Sequence, residues 1–190
     1  TGLIIDGDVD GDGFLDSEEQ YPGNSQRSVS CSAGQFGRYL CADSPAGKYS
    51  LNGSIYAIDA TPGFYVDASL GPGQTSQTAC SLGTYNPNSG SINSTACIDA
   101  SIGHYVDLTG QSSQIACVVG TYQASTGQSS CIDASAGHYV GQTGQSSQTI
   151  CSIGTYQTST GQSSCNNASA GHYVDASLGP GQTSQTACSL

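Results

Sequence analysis

The chain has 190 residues, but Phe, Ile, Leu and Val together account for only 31 of them, and Met and Trp are absent. So few large apolar side chains cannot form a deep core, which argues against an enzyme domain, and no stretch approaches the roughly 18 apolar residues of a membrane-spanning helix. Fourteen acidic residues face three basic ones, the last at Lys48, so the chain beyond Lys48 excludes nucleic acid and anionic membranes as partners. Nine cysteines predict that cross-links replace the missing core.

The first element along the chain is an acidic loop that fits the EF-hand calcium pattern D-x-[DN]-x-[DN]-G-x5-E without a mismatch. An acidic, solvated turn is the alternative, but seven acids between Asp6 and Glu19 would repel one another without a cation. The flanks are too short for two helices, and the segment resembles the isolated structural calcium loops of dockerins and thrombospondin type 3 repeats. We therefore expect Ca2+ to stiffen a joint. Oxygen ligands are predicted from Asp8, Asp10, Asp12, the carbonyl of Phe14, Asp16 and Glu19.

Tandem repeats occupy the rest of the chain, from about residue 31 onwards. A Gly-x-Tyr motif recurs at constant spacing from Gly103 through Gly120 to Gly171, and two kinds of half-repeat alternate to give a 34-residue module. The segment from Tyr65 to Leu82 is identical, position by position, to that from Tyr173 to Leu190, which indicates a super-repeat within a longer array. The predicted organisation is a calcium loop at 1–24, degraded cysteine-rich repeats at 25–62, and regular repeats at 63–190 that stop within a repeat.

Each half-repeat is predicted to form a short aromatic strand followed by a glycine-containing turn, since Tyr, Thr and Val favour strands. The glycine before each Tyr is expected to allow close backbone approach or a bulge. No part of the array has sustained helical spacing. The expected fold is small and disulfide-rich, mostly short antiparallel β-structure and loop, stacked as an elongated rod with little helix. Stacked tyrosines are expected to supply most of its small core.

The cysteine spacing allows two ways of pairing neighbours, which sequence alone does not resolve. Pairing across the long separations would give Cys97–Cys117, Cys131–Cys151 and Cys165–Cys188, and would leave three cysteines without a partner. Pairing across the short separations leaves only Cys188, so parity favours this second scheme. Zinc is disfavoured because CxxC spacing is absent. The favoured disulfides are Cys31–Cys41, Cys80–Cys97, Cys117–Cys131 and Cys151–Cys165.

The motif Cys-x-x-Gly-Thr-Tyr…Gly-Gln-Ser-Ser-Cys resembles the cysteine-rich repeats of ephrin-receptor-like and TNF-receptor-like ectodomains. It is also similar to long arrays in surface proteins of aquatic microbes, including flagellar-hair (mastigoneme-type) fibre proteins. The resemblance covers the whole array, from Cys31 to the end of the chain. It implies short-loop disulfides at Cys117–Cys131 and Cys151–Cys165, and a role in stalks and fibres. The departure from that class is that alternate half-repeats have no opening cysteine of their own.

Two further residue types are candidate sites. His104, His138 and His172 recur once in each module and could bind metal or titrate together, but a repeated surface or stacking residue is the favoured interpretation. Asp99 and His104 could suggest a catalytic pair, but no nucleophile recurs with them, so an enzyme is not expected. Sequons for N-linked glycans, which would be covalently attached, occur at Asn52, Asn93 and Asn167.

Two functions from different classes follow from these patterns. The first is an extracellular, non-enzymatic structural protein that self-associates into a surface filament or stalk, stapled by disulfides, stiffened by calcium and coated with sugar. The alternative is a receptor-like or adhesive ectodomain that binds a protein or glycan ligand. An exposed patch that does not repeat would favour the alternative, and the segment between Gln26 and Tyr56, which holds all three basic residues, is the candidate.

Overall fold

The computed structural model describes residues 30–38 and 40–189, and within them it shows a series of small β-hairpins. Eighteen strands of two residues pair in chain order into nine antiparallel hairpins, and no α-helix occurs in this part of the chain. Three short 3-10 turns lie at Ala68–Leu70, Ser94–Ala96 and Ala176–Leu178. The expected fold class, disulfide-rich with mostly short antiparallel β-structure and loop, is confirmed. The strands are β1 Gln35–Phe36, β2 Ala42–Asp43, β3 Lys48–Tyr49, β4 Ile58–Asp59, β5 Phe64–Tyr65, β6 Thr78–Ala79, β7 Thr84–Tyr85, β8 Ile98–Asp99, β9 His104–Tyr105, β10 Ile115–Ala116, β11 Thr121–Tyr122, β12 Ile132–Asp133, β13 His138–Tyr139, β14 Thr149–Ile150, β15 Thr155–Tyr156, β16 Asn166–Asn167, β17 His172–Tyr173 and β18 Thr186–Ala187.

A tight turn precedes the first strand of every hairpin. In the turn before β9, the backbone N–H of His104 donates to the carbonyl of Ser101 over 3.0 Å, and Gly103 has φ +75°. This type of four-residue turn requires a positive φ at its third position, and glycine is the residue that adopts a positive φ without strain. This requirement explains why glycine stands two residues before each tyrosine of the strands. The strand that follows pairs with the start of the next half-repeat, as in the register Tyr122 with Ile132.

The described residues fall into two compact units. One unit comprises the residues before Cys80 together with Asn88–Ala96, and the other comprises Cys80–Pro87 and the residues from Cys97 onwards. In the first unit, the N–H of Gly34 donates to the carbonyl of Ser50 over 2.8 Å. The N–H of Ser50 in turn donates to the carbonyl of Gln74 over 3.1 Å. Main-chain hydrogen bonds therefore link successive hairpins of this unit.

The second unit repeats the same ladder more regularly. The N–H of Gly103 donates to the carbonyl of Gln123 over 2.7 Å, and the N–H of Gly120 donates to the carbonyl of Val140 over 2.8 Å. Loop residues add a second set of bonds, such as that from the N–H of Val140 to the carbonyl of Gln162 over 3.0 Å. Each hairpin is consequently tied through its backbone to the next one, as expected of a repeat structure in which neighbours stabilise one another.

The buried side chains of the second unit occupy two positions in each half-repeat, except that Ala168 in the last one is half-buried. One position lies three residues before the Gly-x-Tyr glycine and alternates between Cys and Ala, and the other lies three residues after it and alternates between Val and Gln. The tyrosines themselves are half-buried or exposed throughout the described chain. The expectation that tyrosines supply most of the core is therefore wrong. The buried residues at the two positions are Cys80, Ala100, Cys117, Ala134 and Cys151, and Val106, Gln123, Val140, Gln157 and Val174, with Asn86 in the place of Gln.

Candidate functional site

Four hairpins are closed by disulfide bonds, and these are the four pairs that parity favours. The bonds join Cys31 to Cys41, Cys80 to Cys97, Cys117 to Cys131 and Cys151 to Cys165, at sequence separations from 10 to 17. In each bond the first cysteine lies at the buried position before the turn, and the second immediately precedes the second strand of its hairpin. The disulfides therefore close the hairpin loop and fill the core at the same time.

Glutamine side chains close four of the hairpins that have no disulfide. In hairpin β9–β10, the side-chain oxygen of Gln114 accepts from the backbone N–H of Ser101 over 2.7 Å. The same bond is made by Gln148 with Ser135, by Gln185 with Ser169 and by Gln77 with Thr61, at 2.6 to 2.8 Å. We call this bond the glutamine clip.

The glutamine clip occupies the place of the disulfide in the repeat. Each clip glutamine immediately precedes the second strand, where the disulfide-closed hairpins have their second cysteine, and Ala100 or Ala134 stands where they have their first. This device was not predicted from the sequence, which indicated only that alternate half-repeats lack an opening cysteine. The signal that could have found it is a Gln in the register of the second cysteine in every cysteine-free copy of the regular array.

Hairpin β3–β4 belongs to the degraded copies and is closed differently. Ala57 stands where the clip glutamine or second cysteine would be, and Ser44 replaces the first cysteine. Lys48 and Asp59, which face each other in the strand register, form an exposed ion pair of 2.9 Å. The Ser44 hydroxyl is buried and bonds to the Ser50 hydroxyl and to the carbonyl of Gly34. Because exposed ion pairs contribute little, the buried hydroxyl pair is the stronger anchor.

Cys188 is a free and exposed thiol. It occupies the same repeat position as Cys80, Cys117 and Cys151, each of which is buried and disulfide-bonded. No other free cysteine lies within residues 30–38 and 40–189.

The three repeated histidines do not come together. Each ring is held against its own turn, with Nδ1 at 3.1 to 3.3 Å from the carbonyl oxygen two residues earlier, that of Ile102 in the first copy. Nowhere in the described part of the chain do three His, Cys, Asp or Glu side chains cluster closely enough to hold a metal ion. Geometry therefore favours the interpretation of these histidines as turn residues at the surface.

The three sequon asparagines, Asn52, Asn93 and Asn167, are all exposed. The side-chain oxygen of Asn93 accepts from the hydroxyl of Thr95 over 2.6 Å, and Asn167 lies in strand β16. Exposure is what attachment of a glycan requires, and N-glycosylation at these residues stays a prediction. The predicted calcium ligands, from Asp8 to Glu19, lie outside the described residues, so calcium binding also stays a prediction.

Two carboxylates have a lowered pKa for a local reason. The hydroxyl and then the backbone N–H of Ser177 hydrogen-bond to Asp175, and these bonds hold the pKa of Asp175 below its usual value. Asp67 is bonded in the same way by Ser69, which likewise lowers its pKa. Both aspartates begin a 3-10 turn, so their role is to cap it.

No protein-family model matches the chain, and no curated protein matches it significantly. Within the described residues, the chain forms no helix of the length and apolar character needed to cross a membrane.

Proposed function

We propose that the chain is a non-enzymatic structural protein of the cell exterior, which self-associates as a subunit of a surface filament or stalk. The observation that carries this proposal is the main-chain ladder, exemplified by the bonds from Gly103 to Gln123 and from Gly120 to Val140. Backbone bonds do not depend on particular side chains, so a ladder of this kind can be extended by any further hairpin of the same type. The resemblance to flagellar-hair (mastigoneme-type) arrays supports the same function.

The disulfide bonds that close four of the hairpins support an extracellular location. Disulfides persist in oxidising environments, and four of them among the described residues are typical of secreted proteins with small cores. A calcium-stiffened joint at Asp8 to Glu19 and glycans on exposed sequons fit that environment. Glycans would also cover strand edges that could otherwise pair with unrelated chains.

Electron microscopy of the oxidised full chain, with calcium and again after EGTA, tests the proposal. We expect fibres with a regular axial repeat in calcium, and loosening or shortening of the fibres in EGTA. A variant with Asp8→Asn, Asp10→Asn and Asp12→Asn should behave in calcium as the unaltered chain does in EGTA. Single particles under all conditions, across the accessible concentration range, would overturn the filament proposal. Fibres that are indifferent to EGTA and to the variant would retain self-association and remove calcium from it.

A further inference from the structure

One hairpin of the second unit carries a polar groove beside the half-buried ring of Tyr139. The groove has a volume of about 330 Å³ and is lined by Tyr139, Gly141, Gln142, Gln145, Ser147 and Thr149, together with Val140. An adjoining cavity of about 390 Å³ shares Tyr139 and Thr149 and adds Ile150, the disulfide-bonded Cys165 and the hydroxyl residues Ser152, Thr155 and Ser164. Both volumes lie in the range of small-molecule sites, roughly 300–1,000 Å³.

Gly141 keeps the face of the groove open. A Cβ placed on Gly141 would lie 3.4 Å from the carbonyl oxygen of Ser163 and 3.6 Å from the ring carbon Cε2 of Tyr139, so a side chain there would contact the ring. Three of the corresponding half-repeats have an aspartate at this position, at Asp67, Asp107 and Asp175. Glycine in this one copy therefore leaves this side of the groove without a side chain and without a carboxylate.

The polar groups of the groove are free to bind a ligand. The side chains of Gln142, Gln145, Ser147 and Thr149 make no hydrogen bond within residues 30–38 and 40–189, in contrast to the neighbouring Gln148, whose side-chain oxygen is engaged in a glutamine clip. Amides and hydroxyls each offer both donors and acceptors. No charged residue lines either cavity.

This chemistry selects one class of ligand. A groove without charge has nothing with which to hold a phosphate, a carboxylate or a metal ion. Neutral donors and acceptors around an aromatic ring match a sugar, whose hydroxyls donate and accept and whose C–H face carries a weak positive charge toward the negative face of the ring. We propose that the groove at Tyr139 binds a neutral saccharide. The proposal is independent of self-association and of calcium.

Hairpin β9–β10 is a natural control within the same chain. It has the same length and carries Tyr105, Gln111 and Ser113 where the groove has Tyr139, Gln145 and Ser147. The two hairpins differ among the groove positions only at Asp107 for Gly141, Leu108 for Gln142 and Ile115 for Thr149. Exchanging these three residues in each direction gives one hairpin the groove residues of the other, with side chains that this fold already accommodates at these positions.

The test is an NMR titration of the oxidised full chain at low concentration with cellobiose, lactose, mannobiose and diacetylchitobiose. We expect saturable shifts of the Tyr139 and Thr149 amides with at least one of these sugars, and little response to glucuronate. The variant Gly141→Asp/Gln142→Leu/Thr149→Ile should weaken binding by about tenfold or more, because it removes two hydrogen-bonding side chains and places a carboxylate beside the ring. The reverse variant Asp107→Gly/Leu108→Gln/Ile115→Thr should raise the stoichiometry from about one to about two sugars per chain.

Several outcomes would overturn the proposal. They are the absence of shifts near Tyr139 with all four sugars, equal binding by the first triple variant, and an unchanged stoichiometry in the reverse variant. Selective binding of an uncharged peptide such as a Gly-Ser-Thr hexamer, in the place of the sugars, would assign the groove to a protein partner instead. Retention of all four disulfides by mass spectrometry shows that each variant is folded, so that loss of binding is not mistaken for misfolding.

Discussion

At the scale of single residues, the glycine of each Gly-x-Tyr motif meets two separate requirements. Gly120 has φ +85°, and a Cβ there would overlap the carbonyl oxygen of Gly161 in the loop of a later hairpin. Gly154 has the same φ of +85°, but a Cβ there would meet nothing within 4 Å. Gly154 therefore needs glycine only for its positive φ, whereas Gly120 needs it both for its positive φ and for the close approach of another loop.

Gly154→Ala is expected to lower the free energy of unfolding by about 1–2 kcal/mol, the cost of a left-handed conformation for an alanine. Gly120→Ala carries that cost and about 1–3 kcal/mol more, because the backbone of the contacting loop must also shift. Urea denaturation of the oxidised chains, followed by circular dichroism, measures both. Equal losses in the two variants would show that the close approach to Gly161 contributes nothing to stability.

The same residues show what the sequence could and could not predict. The regular repeat spacing and the turn chemistry predicted both the short strands and a close approach at glycine, because these depend on local backbone preferences. The location of the core was not predictable in this way. Tyr105 is larger than its neighbours and has an extensive apolar ring, and yet Val106 is the residue with no exposed surface. The stacking direction of the hairpins decides which of two adjacent side chains points inward, and that direction depends on contacts between repeats.

At the scale of the hairpin, the glutamine clip and the disulfide are alternative ways to close one backbone arrangement. If they are equivalent in geometry, Ala100→Cys/Gln114→Cys should place a fifth disulfide in hairpin β9–β10. Closing a loop of this length is worth about 3 kcal/mol by the chain-entropy model, less about 1 kcal/mol for the lost clip. A net gain of about 2 kcal/mol is therefore expected in urea denaturation.

Peptide mapping without reductant checks which cysteines are joined in that variant. The matched control is Ala100→Ser/Gln114→Ser, which removes the clip without adding a cross-link and should lose about 1 kcal/mol. Two free thiols at residues 100 and 114, or a rearranged pairing with Cys97, would mean that the clip and disulfide hairpins differ in backbone geometry.

The number of cysteines left unpaired was sufficient to favour the four disulfides, because cysteines are few and each pairing scheme leaves a different number without a partner. The glutamine clip could not be inferred so readily, since Gln is frequent in these loops and most of its copies serve other purposes. Gln123 and Gln157, for example, bond to the carbonyls of Ser130 and Ser164 within the disulfide-closed loops. Only the register against the second strand distinguishes a clip glutamine from these.

At the scale of the whole molecule, the duplicated segment from Tyr65 to Leu82 and from Tyr173 to Leu190 shows what neighbouring repeats contribute. Val66 is 1% exposed, and its N–H donates to the carbonyl of Ser91 over 2.9 Å. Val174 has the same flanking residues from Tyr173 onwards, but it is 8% exposed, and its N–H has no partner among the described residues. The difference comes from the loop at Asn88–Ala96, which covers Val66 within the first unit.

Hydrogen exchange at these two valines tests how far a hairpin depends on the repeats that follow it. Their intrinsic exchange rates are matched, because Tyr precedes Val in both copies. The Val66 amide should therefore exchange at least about a hundredfold more slowly than the Val174 amide in dilute, oxidised protein, since only the former is hydrogen-bonded and covered. Similar rates would mean that each hairpin is stable by itself and that the ladder adds nothing.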